Sequence, residues 1–166
     1  MCATKSHSQQ VSGFTLTEVL VTVGIIGTLS TLATPSFVNA LKSNEQSSAK
    51  ATVAGIQTII SSYIDETGKI PKSWKEINSI SAIMTSNGDG TSRQALKTDF
   101  SQITLPGEKY KLEVKPPSGT GTIFTIIASP TNTNGQQYIH ACLDISNGAS
   151  DLTTSSSSSE VMNLCS

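Results

Sequence analysis

At 166 residues the chain is the size of one ordinary domain, and its 36% hydrophobic and 14% charged residues, with abundant Ser and Thr, suit an extracytoplasmic surface wetted by hydroxyls rather than ions. Eleven basic against 12 acidic side chains leave a formal net charge of −1, which excludes a general electrostatic pull toward nucleic acid or anionic lipid. Any polyanion contact would have to be local.

The N-terminus is the most informative segment. Between Lys5 and Lys42 the one residue of fixed charge is Glu18, and the run Val19 to Ala33 (VLVTVGIIGTLSTLA) carries no ionisable side chain. A helix from Phe14 to about Phe37 would be roughly 35 Å long at 1.5 Å per residue, enough to cross a hydrocarbon core. A secretory signal places its cleavage site after the apolar stretch and loses that stretch on cutting. Here the order is inverted: Gly13 ends a short hydrophilic leader, MCATKSHSQQVSG, ahead of the apolar run. No Cys follows the run where a lipoprotein signal would need one.

The stretch GFTLTEVLVTVGIIGTLSTLATPSF resembles the type IV pilin and pseudopilin family, whose precursors carry a Gly, an aromatic residue and a Glu at this spacing before an apolar helix. The resemblance covers about the first quarter of the chain. It implies a leader over 1–13, a membrane-spanning and assembly helix over 14–37, and a periplasmic or extracellular domain over 38–166. It further implies that a prepilin peptidase cuts between Gly13 and Phe14 and methylates the new amine of Phe14. Glu18 then holds the family's acidic position, and Pro35 falls where many members have a helix-kinking proline. The expected partners are the peptidase, the membrane, a pilus assembly machine and other pilin subunits. The expected location is the inner membrane, in a single pass, and afterwards a cell-surface filament.

The chemistry of Glu18 points the same way. A carboxylate near the membrane end of a helix is costly in lipid and is retained for a partner. The α-amine of Phe14, its own or a neighbour's, would serve and would fix axial register in a packed bundle. The simpler reading is an acid placed where the helix dipole favours it. Thr17, Thr22, Ser30, Thr31 and Thr34 make this helix more hydroxylated than is usual in the family. Gly24, Gly27 and Pro35 predict bending or melting between Gly24 and Pro35 on packing, or equally a close-packing face of small residues.

From Val38 onward, Leu41, Ala49, Val53, Ile56, Ile60 and Ile64 recur at helical spacing, with Lys42, Asn44, Glu45, Ser47 and Lys50 largely on another face. The helix is therefore expected to continue to about Glu66, where Gly68 and Pro71 stop it. Ser73 to Glu76 matches an S-x-x-E capping box, opening a short helix with Trp74 as its packing anchor before the turn-rich SNGDG segment. Lys69, Lys72 and Lys75 around Trp74 form a small basic, aromatic patch able to touch DNA, though a solvated loop accounts for it more simply, and the acidic total charge weighs against DNA.

Strand patterns follow. Tyr110, Leu112 and Val114 alternate with Lys109, Lys111, Glu113 and Lys115, and the runs Thr122 to Ala128 and Gln137 to Ile145 are short and rich in β-branched or aromatic residues. The expected fold is α+β: an antiparallel sheet of three or four strands with its apolar face on the second half of the long helix. That is also the architecture the resemblance implies. The segment from Asp144 to Ser166, with five serines at Ser155 to Ser159, predicts a flexible loop.

Of three cysteines, Cys2 lies in the leader, so trimming leaves Cys142 and Cys165 as a pair expected to be disulfide-linked in an oxidising compartment. By resemblance, the loop they close is an exposed surface carrying partner specificity. Removal of His7 with the leader leaves His140 as the one histidine, too few for an ordinary zinc site, and Asp144, Asn147 and Asp151 match no EF-hand spacing. No phosphate-binding Gly loop or catalytic carboxylate pair is evident, so no enzyme, cofactor or metal is predicted. The function implied is that of a structural filament subunit. The alternatives are a minor pilin acting as adhesin or DNA-binding module, and a pseudopilin of type II secretion.

Overall fold

The computed structural model describes residues 13–86, 94–133, 135–158 and 165, with the backbone alone at Leu32, Ala33 and Pro35. The leader through residue 12, including Cys2 and His7, and most of the SNGDG turn lie outside these residues.

Helix α1 (Leu16–Thr67) starts two residues after Phe14 and ends one residue before Gly68. Gly68 takes φ +66° and its N–H donates to the Ile64 carbonyl at 2.8 Å, so a residue free of Cβ terminates the helix in the left-handed region. The chain divides into two units, Met1–Ala40 and Leu41–Ser166, and α1 contributes to both. In the first unit the helix has no buried side chain among the described residues. In the second, Ala49, Val53, Ile56 and Ile60 face the core, spaced by four, three and four. Leu41, expected on that face, is instead 45% exposed, because the buried stripe begins only at Ala49.

The short helix α2 (Trp74–Ile77) is capped by Ser73, whose Oγ accepts from the Glu76 N–H at 3.3 Å. The reciprocal half of the box is shifted by one residue: Glu76 Oε2 accepts from the Lys72 N–H at 2.6 Å rather than from Ser73. Trp74 is fully buried, donates from Nε1 to the Ser101 carbonyl at 2.7 Å, and meets Phe100 edge-on with ring centroids 5.4 Å apart.

Five antiparallel strands follow in sequence order: β1 (Ile103–Thr104), β2 (Tyr110–Lys115), β3 (Ile123–Pro130), β4 (Tyr138–Asp144) and β5 (Ser150–Ser155). Pro106 and Gly107 make the tight turn from β1 to β2, Gly107 at φ +85° and the Glu108 N–H returning to the Leu105 carbonyl at 3.0 Å. The register aligns Ile103, Leu112, Ala128 and Ile139 across four strands, and this row, with Tyr110, Val114, Phe124, Ile126, Ala141 and Leu143, forms one core with the α1 stripe.

The fifth strand corrects the expected sheet of three or four strands, and it corrects the expectation of a loop from Asp144 onward. SDLTTS has little apolar content of its own. It is ordered by pairing with β4 throughout its length and by Gln57, whose buried Nε2 donates to the carbonyls of Cys142 at 2.7 Å and Asp151 at 3.1 Å. One helix side chain therefore ties the last two strands together.

Candidate functional site

Gly13, Phe14 and Thr15 precede the helix in non-helical backbone, and all three are exposed. Phe14 is 88% exposed, and nothing lies within 4 Å of where a Cβ on Gly13 would stand. No described residue outside its own chain neighbours crowds Gly13, and Phe14 beside it is exposed.

Immediately after it the helix is capped. Thr15 donates to Glu18 Oε2 twice, from its backbone N–H at 2.9 Å and from its hydroxyl at 2.8 Å. The Glu18 N–H returns to Thr15 Oγ1 at 3.3 Å. This is a reciprocal T-x-x-E capping box with Thr15 as N-cap and Glu18 closing the first turn. Among the described residues, then, Thr15 is the partner of Glu18. The sequence reading looked for that partner in an amine and missed Thr15, although the pattern is the one recognised at Ser73 to Glu76. Both carboxylate contacts use Oε2.

Phe14, Thr17, Glu18, Val21, Thr22 and Ile25 line one open, predominantly apolar hollow of ≈ 410 Å³ along this turn and the next two. The exposure is not confined to that face. Leu16, Val19, Leu20, Val23, Ile26, Leu29, Phe37 and Val38 are also exposed, none of them below 42%, whereas Val53 and Ile60 further along the same helix are at 0%. A helix apolar on every side is stable only when lipid or other helices surround it.

Five hydroxyls of the segment are satisfied inside the helix. Thr28 donates to the Ile25 carbonyl at 2.9 Å, Ser30 to Ile26 at 2.8 Å, Thr31 to Thr28 at 2.8 Å and Thr34 to Ser30 at 2.7 Å, and Thr22 bonds the Glu18 carbonyl. Pro35 stands in helical backbone, and its side chain lies outside the described residues. Among the described residues no single helix is long and apolar enough to cross a membrane; Leu16–Thr31 and Ser36–Thr67 meet that requirement only as a pair, by length and composition.

At the other end of the chain Cys142 and Cys165 form the expected disulfide, with Cα atoms 6.1 Å apart. The bond ties Cys165 to the face of β4 opposite Ile139, Ala141 and Leu143. His140 on that face is 2% exposed, and its Nε2 lies 3.0 Å from the Ser157 carbonyl, which can only accept, so Nε2 carries a hydrogen. His140 is thus engaged by the backbone just after β5.

Asp144, Asn147 and Asp151 do not converge on a cation. Asp144 Oδ1 accepts from the Ser146 N–H at 2.9 Å and its hydroxyl at 2.8 Å, Asn147 Oδ1 from the Ala149 N–H at 2.8 Å, and Asp151 Oδ1 from the Leu152 N–H at 2.6 Å. Among the described residues no group of three His, Cys, Asp or Glu side chains is placed to hold a metal ion. Lys69, Lys72 and Lys75 are exposed, but burial of Trp74 removes the aromatic surface on which a base would stack. Comparison with protein-family models, curated proteins and solved structures finds no match to this chain.

Proposed function

We propose that the chain is a structural subunit of a type IV pilus or pilus-like filament, held in the inner membrane by its N-terminal helix and later packed through that helix into a cell-surface fibre. The observation that carries this reading is a helix start reading GFTLTE, followed by apolar side chains exposed on every side from Phe14 to Leu41. A prepilin peptidase cuts the bond after Gly13 and methylates the amine of Phe14. The Thr15 N–H survives that cut as an amide, so the capping box persists in the mature chain and keeps Glu18 Oε2 occupied. Oε1 then faces the Phe14 amine of a neighbouring subunit, an ion pair strengthened by the low dielectric of a helix bundle.

Mass spectrometry of the mature N-terminus, with recovery of the chain from a sheared filament fraction, tests the reading. The expected result is N-methylated Phe14 in that fraction; an uncut Met1, or cleavage beyond Ala33, overturns it. Glu18→Ala and Glu18→Gln are expected to be processed yet poorly incorporated. Because Gln still closes the capping box, normal assembly of Glu18→Gln would exclude the charge pairing.

A further inference from the structure

Between Leu41 and Thr52 the only buried side chain of α1 is Ala49, at 4% exposure; the large apolar attachments Val53, Ile56 and Ile60 come later. Polar side chains hold the helix before Ala49 instead. Glu45 is the hub: its Oε2 accepts from Gln136 Nε2 at 2.6 Å, and its Oε1 lies 3.7 Å from Lys109 Nζ. Beside it, Gln46 Nε2 donates to Gln137 Oε1 at 3.1 Å, and the Gln137 carbonyl accepts from the Tyr110 hydroxyl at 3.2 Å. Two adjacent helix residues thereby grip both the start of β2 and the connection leading into β4. Next to this grip a groove of ≈ 310 Å³ runs between the helix, at Asn44, Ser48 and Thr52, and the turn at Pro106 and Gly107. The helix is bridged to the sheet here rather than packed on it.

We propose that Glu45 and Gln46 form a latch that closes the first two turns of the domain's helix onto the sheet and that opens without disturbing the core. Exposed ion pairs and side-chain hydrogen bonds are individually weak, and the helix itself buries no large apolar side chain before Val53, so this stretch opens more readily than the helix from Val53 onward. The use of the latch rests on the filament reading: it gives the domain slack at its point of attachment while a subunit is drawn from membrane into fibre. The latch itself is a property of the single chain.

Hydrogen exchange of the full-length chain in detergent micelles, read by mass spectrometry, tests it independently of any assembly. In a Glu45→Ala/Gln46→Ala double variant, amides 42–48 are expected to exchange about tenfold faster than in the parent, with amides 53–60 unchanged. Unchanged exchange over 42–48 would overturn the proposal, since something other than these side chains would then hold the stretch. Equal acceleration over 53–60 would also overturn it, because the contacts would then support the whole fold and not a separable latch.

Discussion

Replacing Cys142 and Cys165 together by Ala should lower the stability of the domain by about 3.4 kcal/mol. The value follows from the loop entropy that the bond removes from the unfolded chain at a sequence separation of 23. Ala at both positions avoids leaving a buried thiol, as both sulfurs are inside, Cys142 at 3% and Cys165 at 7% exposure. Trp74, the one tryptophan, is fully buried, so its fluorescence reports unfolding of the domain without a signal from the N-terminal helix. At a urea dependence of about 2 kcal/mol/M, the midpoint should fall by about 1.7 M. Reduced parent protein, which keeps both side chains, should lie close to the double variant. A midpoint shift below about 0.5 M would refute the reasoning, showing that the unfolded chain is not the state the bond constrains.

Two further outcomes are expected. Hydrogen bonds from the Ser146 N–H, the Ser146 hydroxyl and the Thr122 hydroxyl hold the Asp144 carboxyl below the ordinary aspartate value of 3.8, so its contribution is complete above that value and disappears as pH falls through the depressed one. Urea midpoints taken from pH 7 down to pH 2 should accordingly drop less steeply at the acid end in Asp144→Asn than in the parent; identical acid limbs would exclude Asp144 as a source of that drop. Gly68→Ala should cost about 1 kcal/mol in the same urea assay, because φ is +66° while the surrounding space is open, so the penalty is conformational and not steric; a neutral result would mean that the helix end rearranges.

What the sequence made legible is what periodicity and pairing arithmetic encode. The stripe from Ala49 to Ile60, the alternation of Tyr110, Leu112 and Val114, the helix stop at Gly68 and the Cys142–Cys165 pair all follow from local pattern or count. Strand β5 was not legible because SDLTTS earns its order from β4 and from Gln57, 94 positions away from the Asp151 carbonyl that it meets. The same holds at Glu45 and Gln46, whose partners Gln136 and Gln137 lie 91 positions along the chain and are delivered by the strand connection before β4. Thr15 is a different case. Its role is written locally, in T-x-x-E, but the same Glu18 is also the lone charge of an apolar run, and the sequence pattern alone does not separate a cap from a membrane charge.

The hydroxyls of the N-terminal helix have a consequence for any change of surroundings. Thr28, Ser30, Thr31 and Thr34 each donate to a carbonyl of their own helix, three or four residues back. Their hydrogen-bond inventory is therefore the same in lipid, against neighbouring helices or at a wet boundary. These four donors need no new partner when the segment leaves one solvent for another, so they add little to the free energy of transfer, which is left to the apolar surface and to Glu18.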